Sequence, residues 1–193
     1  MSKSSGSNRG LLSEGSKHYR EKLKRTETNI RTKRYEVGVV LDRKGNILVR
    51  REGKAREVRF SKEELKLMKD NVLTHNHPSA LGRSGVSAIG QPFSKEDLIL
   101  AVDRNVKEIR AVTPTYTFSI KRPKGGWKVN WKDISKVVDN ANQKYYNKFN
   151  SYIRNYKGKE HTAIERANAL HWHLVNKEVA KKMGWNYTHK KAK

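Results

Sequence analysis

His75 and His77, in the stretch "VLTHNHPS", stand one residue apart at the end of a short apolar run and are followed at once by Pro78. On an extended strand, side chains two residues apart point to the same side, so this spacing lets both imidazoles share one metal ion. A catalytic zinc site needs a third protein ligand and an open position for water. Asp97 is the best third candidate. It lies one turn inside the helix that "SKED" opens, where the intervening loop can fold back towards the histidines, and it is charged at neutral pH. A carboxylate that is not a ligand is then needed to take a proton from the activated water. Glu36, an acid within an otherwise apolar strand, is the candidate for that role.

Each piece alone has a plainer reading. An HxHP run is an ordinary turn or surface pair, Ser94 with Asp97 three residues on is a common helix start, and Glu36 can simply edge a strand. The joint order is harder to reach by accident: an acid on an early strand, then HxHP, then SxxD opening a helix.

The elements that must position these residues follow from local pattern. Residues 1–14 are rich in Ser and Gly and are expected to be disordered, whereas "SKHYREKLKRTETNIRTK" (Ser16 to Lys33) lacks Gly and Pro and is expected to be helical. "RYEVGVVLDRKGNILVRREG" reads as a hairpin around "DRKGN", with a further short strand near "REVRF". "SKEELKLM" has Ser61 and Glu64 spaced as a capping box, for a short helix ending near Lys69, and "NVLT" is a buried strand with the histidines just past its end. Residues 75–93 are rich in Gly, Ser and Pro and should form a loop, followed by a helix capped by Ser94. "EIRAVT" and "YTFSIKRP" are strand-like, and "KGGWKVNW" reads as a turn and a last short extended segment. From Lys132 to Met183 there is no proline, and two helices broken near "NYKGKE" are expected. The chain thus divides into a tail and N-terminal helix (1–33), a mixed α/β (α+β) core (34–131) and a basic helical C-terminal extension (132–193), so that helices flank the core.

Composition bounds the chemistry further. The 193 residues include no cysteine, so disulfides, thiolate zinc fingers and cysteine nucleophiles are excluded. No apolar run approaches a membrane span and the polar start lacks the apolar middle of a secretion signal, so the expectation is a cytoplasmic protein that does not enter a membrane. The 43 Lys and Arg against 19 Asp and Glu give a net charge of +24, a field that attracts phosphate polymers. The excess is spread along the whole chain, so contact with nucleic acid competes with the reading of a generally solvated basic surface. Nothing in the sequence sets an oligomeric state.

Glu36, "THNHPS" and "FSKED" together resemble the JAB/MPN domain of the JAMM zinc metalloproteases, whose pattern is a glutamate, then HxHP, then SxxD. The wording is nearest to the bacterial branch that includes RadC-like proteins and the JAB domains of phage-associated and polymorphic-toxin proteins, which leaves delivery of this chain by phage or secretion machinery open beside the cytoplasmic expectation. The resemblance covers about residues 34–122. It implies a cytidine-deaminase-like mixed sheet and a zinc ion held by His75, His77 and Asp97. Glu36 would act as general acid and base, and Ser94 would help stabilise an oxyanion. The implied reaction is hydrolysis of a peptide or isopeptide bond in a protein or peptide substrate. The alternative is a basic nucleic-acid-binding protein or toxin-like effector that uses the same metal scaffold, nucleic acid being a possible target. This chain departs from the family pattern in the long stretch 78–93 between the second His and Ser94, which can form a flexible lid or substrate loop.

The C-terminal helices hold a weaker metal candidate. His161 and Glu165 are one turn apart, and His171 with His173 repeats the HxH spelling. On a helix, residues two apart point about 200° from each other, so that pair does not grip one ion. Leu170, Trp172, Leu174, Val175 and Val179 are expected to supply core, with Trp185 and Tyr187 closing the end. "NQKYYNKFNSYIRNYKGK" interleaves aromatics with Lys, which suits either base stacking or, more simply, an amphipathic helix with its aromatics on the core.

Overall fold

The computed structural model describes residues 8–55 and 57–192, with side chains from residue 16 onward. The elements run α1 (Asn8–Arg31), β1 (Val37–Leu41), β2 (Ile47–Glu52), α2 (Lys62–Lys66), β3 (Val72–Asn76), α3 (Lys95–Asp103), β4 (Glu108–Val112), β5 (Tyr116–Lys121), α4 (Trp131–Arg154), α5 (Glu160–Met183) and β6 (Asn186–Lys191). The expected α+β class is what the chain adopts. Six strands form one sheet in the order β2-β1-β3-β4-β5-β6, with β3 and β4 parallel and every other pair antiparallel. Among the described residues no helix is long and apolar enough to cross a membrane.

Strand alternation divides the sheet into two faces. On one face α1 lies alone, with Leu23 and Ile30 packed on Val37, Val39, Leu41 and Val112. On the other, α3, α4 and α5 cover a larger core that includes Leu73, Leu98, Phe118, Ile134 and Val179. Thr74 and His75 show the alternation directly. The Thr74 hydroxyl donates to Glu27 of α1, whereas the His75 ring meets Asp97 of α3.

Several expectations are corrected. Helix α1 begins at Asn8, so of the stretch 1–14 expected to be disordered only residues 1–7 lie outside the described residues. Residues 57–60 of "REVRF" form no strand. The ladder ends where Gly53 N–H donates to the Glu36 carbonyl, Lys54 N–H turns to the Glu57 carbonyl, and the Phe60 ring sits where Gly38 leaves room for it. "KGGWKVNW" is likewise not extended, and ends in the Asn130 cap of α4. Helix α2 stops at Lys66, with its capping box as expected. The C-terminal extension is not wholly helical, because "NYTHKK" pairs with β5 as the sixth strand of the same sheet.

Candidate metal centre

Strand β3 delivers the histidines. His75 is the fourth of its five residues, and His77 lies just beyond, still extended (φ −113°, ψ 106°), its N–H donating to the Val112 carbonyl in continuation of the ladder. The rings therefore emerge on the same side, edge to face with centroids 4.6 Å apart and Nε2 atoms 3.0 Å apart, both nearly out of solvent. His77 Nδ1 donates to the Gln91 carbonyl at 2.7 Å, which places its proton on Nδ1 and leaves the Nε2 lone pair facing the cleft. Gln91 belongs to the long stretch 78–93, whose two 3-10 turns (Pro78–Ala80 and Gly85–Ile89) are fastened to the β4–β5 connection by Thr113 and Thr115 hydroxyls donating to the Ile89 and Ala88 carbonyls. Gly90, at φ +71°, passes so close to Thr113 and Ala80 that a Cβ would collide with both. This stretch, expected as a flexible lid or substrate loop, is tied down at its middle and its C-terminal end and holds the His77 ring.

Helix α3 supplies the carboxylate. Its capping box has the Ser94 hydroxyl accepting from Asp97 N–H at 3.1 Å, while Asp97 Oδ2 accepts from the Ser94 N–H at 2.8 Å and from its hydroxyl at 2.9 Å. The plain helix-cap reading of Ser94 and Asp97 is thus correct, and the same cap aims Asp97 at the histidines. Asp97 Oδ1 lies 3.4 Å from His75 Nε2, and Oδ2 lies 3.8 Å from His77 Nε2. One donor atom from each of His75, His77 and Asp97 falls within a 4.8 Å cluster, so the three form a His-His-Asp group able to hold a metal ion. Glu36, immediately before β1, puts Oε1 4.0 Å from His77 Nε2 and lies outside that cluster.

The electrostatics fit a cation. Burial alone would lower the pKa of His75, but Asp97, Glu36 and the Arg110 carbonyl overcome it and raise it. Burial and the neighbouring His75 push His77 down to about 4. Burial would raise Asp97, yet the two histidines hold its carboxyl well below the usual range. Burial, partly offset by His75, lifts Glu36 to about 7, where a carboxyl exchanges its proton readily in neutral water. Two imidazoles facing each other beside an ionised carboxylate are a donor set that positive charge completes. They open on a cleft of about 730 Å³ whose described lining includes Glu36, Glu57, Glu96 and Asp97. Arg59, paired with Glu57 at 3.1 Å, is the one Lys or Arg among those lining residues.

All five expected site residues meet at this cleft. The structure does not bring the other candidates into it. His161 and Glu165 are an exposed surface pair at 3.7 Å. His171 and His173 diverge, His171 Nε2 meeting Asn142 at 2.6 Å and His173 Nδ1 meeting the Tyr187 hydroxyl at 2.9 Å. Sequence reasoning missed Asn76 and Asn176, which brace the elements on either side of the site. The Asn76 side chain accepts from Val37 N–H and donates to the Tyr35 carbonyl, and Asn176 donates to the Phe93 carbonyl. Neither asparagine belongs to a spaced motif that would single it out. Comparison with family models, curated proteins and solved structures finds no match for this chain.

Proposed function

We propose that the protein is a zinc-dependent hydrolase of JAB/MPN type that cleaves a peptide or isopeptide bond. The observation that carries the reading is the convergence of His75, His77 and Asp97 at the floor of a cleft, with Glu36 beside them but outside the ligand cluster. A zinc ion bound by those three would polarise the scissile carbonyl and make water nucleophilic near neutral pH. Glu36 accepts the proton from the attacking water and returns it to the leaving amine. The Gln91 and Arg110 carbonyls orient the two imidazoles, as outer partners of metal-binding histidines do. Ser94 first holds Asp97, and its hydroxyl serves an oxyanion by turning its hydrogen from Asp97 Oδ2 towards the substrate. The carboxylates lining the cleft favour a peptide over a phosphodiester, whose charge they repel.

Metal analysis of the purified chain and a cleavage screen test the proposal. About one zinc per chain is expected, lost in His75→Ala and Asp97→Ala. Glu36→Gln should keep the zinc and lower kcat on peptides or ubiquitin-like fusions by about 10²–10⁴-fold. Unchanged turnover in Glu36→Gln, or hydrolysis of oligonucleotides and not of peptides, would overturn it.

A further inference from the structure

On the face of the sheet opposite the metal cleft, α1 and the β1–β2 hairpin enclose a groove of about 490 Å³. Its placement follows from register: Arg50 of β2 pairs with Val39, which packs under α1, so Arg50 also points to the α1 side. Three cations line the groove, Lys22 and Arg25 from α1 and Arg50 from β2, together with Thr26, Asn29 and Asn46, and no Asp or Glu is among its lining residues. Lys22 Nζ donates to the neutral Asn46 side chain at 3.0 Å, and Gly45 at φ +80° packs against the Lys22 stem, which fixes where the ammonium points. Arg25 has no hydrogen-bond or ion-pair partner among the described residues, and Arg50 has only Glu52, at 3.3 Å and half exposed. A second hollow of about 430 Å³ shares Arg25 and Asn29 and adds Lys24 and Thr28, with Glu21 as its one acid. The two adjoin through Arg25 and Asn29 and together make one basic track along α1.

We propose that this track binds the phosphodiester backbone of a nucleic acid. Lys22 and Arg25, without carboxylate partners among the described residues, and Arg50, held only by the half-exposed Glu52, lie along one concave path and fit a chain of phosphates. The Asn29 amide offers a donor and an acceptor to sugar and base, and the half-exposed Ile47 offers an apolar contact within the same hollow, while Asn46, donating to Asp42 at 2.9 Å and accepting from Lys22, holds the lysine in place. The net charge of +24 supplies the long-range attraction, and the track gives it a place. The site is independent of the metal cleft and of what is cleaved there.

Fluorescence anisotropy on the full-length chain, with labelled single strands and duplexes of about 20 nucleotides, tests the assignment. Binding should tighten as salt is lowered. The triple variant Lys22→Gln/Arg25→Gln/Arg50→Gln should weaken it about tenfold or more and reduce the slope of log affinity against log salt by about 2–3. A variant of equal charge loss at the opposite end of the sheet, Lys182→Gln at the end of α5 with Lys190→Gln/Lys191→Gln on β6, should change affinity by less than about threefold. Circular dichroism melting confirms that both variants fold. Absence of binding by the wild type at low salt, or equal losses in the two variants, overturns the assignment. So does a groove variant that loses binding to phosphatidylserine vesicles while keeping its affinity for oligonucleotides.

Discussion

Between the two histidines, Asn76 is more than a spacer. Alternation turns its side chain away from the metal cleft, where Oδ1 accepts from Val37 N–H at 2.6 Å and Nδ2 donates to the Tyr35 carbonyl at 3.0 Å and the Lys33 carbonyl at 3.3 Å. These bonds fall on both sides of Glu36, so the strand carrying His75 also sets the position of the proposed proton acceptor. Asn76→Ala leaves the buried Val37 N–H and its partners unpaired and should cost about 2 kcal/mol, lowering Tm by roughly 4–8 °C in a scanning calorimeter. Zinc content at room temperature should persist while turnover falls, because Glu36 moves and the ligands do not. Loss of zinc with turnover per bound zinc intact would show that Asn76 acts on the ligands instead. The site residues were legible in the sequence because their chemistry resides in side chains at telling intervals. The Gln91, Arg110 and Phe93 carbonyls, which hold the site together, belong to backbone that any residue carries, so no letter marks them.

Helix α5 reaches the site through Asn176. Asn176, fully buried, donates to the Phe93 carbonyl at 2.9 Å and to Trp172 at 2.7 Å, anchoring the chain just before the Ser94 cap that aims Asp97. Asn176→Ala should destabilise by about 1–3 kcal/mol and weaken zinc binding about tenfold, measured by competition with a chelator. Unchanged zinc affinity in a destabilised variant would confine Asn176 to packing. The same helix carries a pH dependence. Burial first, then His189 and Lys177, lower the pKa of His173 below the ordinary 6.5, so the unfolded chain takes up a proton before the folded one. Stability is therefore full above about 6.5 and lost as pH falls from there towards the depressed folded value. His173→Gln should flatten that part of a urea-midpoint profile, and an unchanged slope would assign it to other groups. Elements with a strong apolar pattern, β1, β3, β4 and α3, were legible. Strand β6 was not, because "NYTHKK" has no apolar alternation and is a strand only because β5 offers it an unpaired edge. The start of α1 was hidden by its Ser and Gly residues, which carry little helix signal.

Across the whole molecule, the single-helix layer is joined to the sheet by an ion network as well as by apolar contact. Arg110 of β4 donates through Nε to Glu27 Oε1 at 2.6 Å and through Nη2 to Oε2 at 3.2 Å, and through Nη1 to Glu108 at 2.6 Å, while the Thr74 hydroxyl donates to Glu27 as well. Glu27 and Glu108 are buried, and Arg110 is held ionised because Glu27 and Glu108 outweigh the burial that would lower its pKa. Arg110 pairs with Thr74 across the parallel ladder, one position from His75, so the network underpins the strand that bears the candidate ligands. A buried ion pair adds little over an apolar substitute, but a single unpaired charge in its place is costly. Glu27→Ala should therefore destabilise by about 3–5 kcal/mol, read from urea unfolding. The joint replacement Glu27→Leu/Arg110→Met should recover much of that loss, Glu108 then being left to Lys121, whose Nζ lies 4.0 Å from it. If Glu27→Ala costs no more than an exposed pair, under about 1 kcal/mol, α1 is held by its apolar face alone. In that event removing the network would leave the metal centre undisturbed, whereas strand-borne coupling predicts that Glu27→Ala also weakens zinc binding.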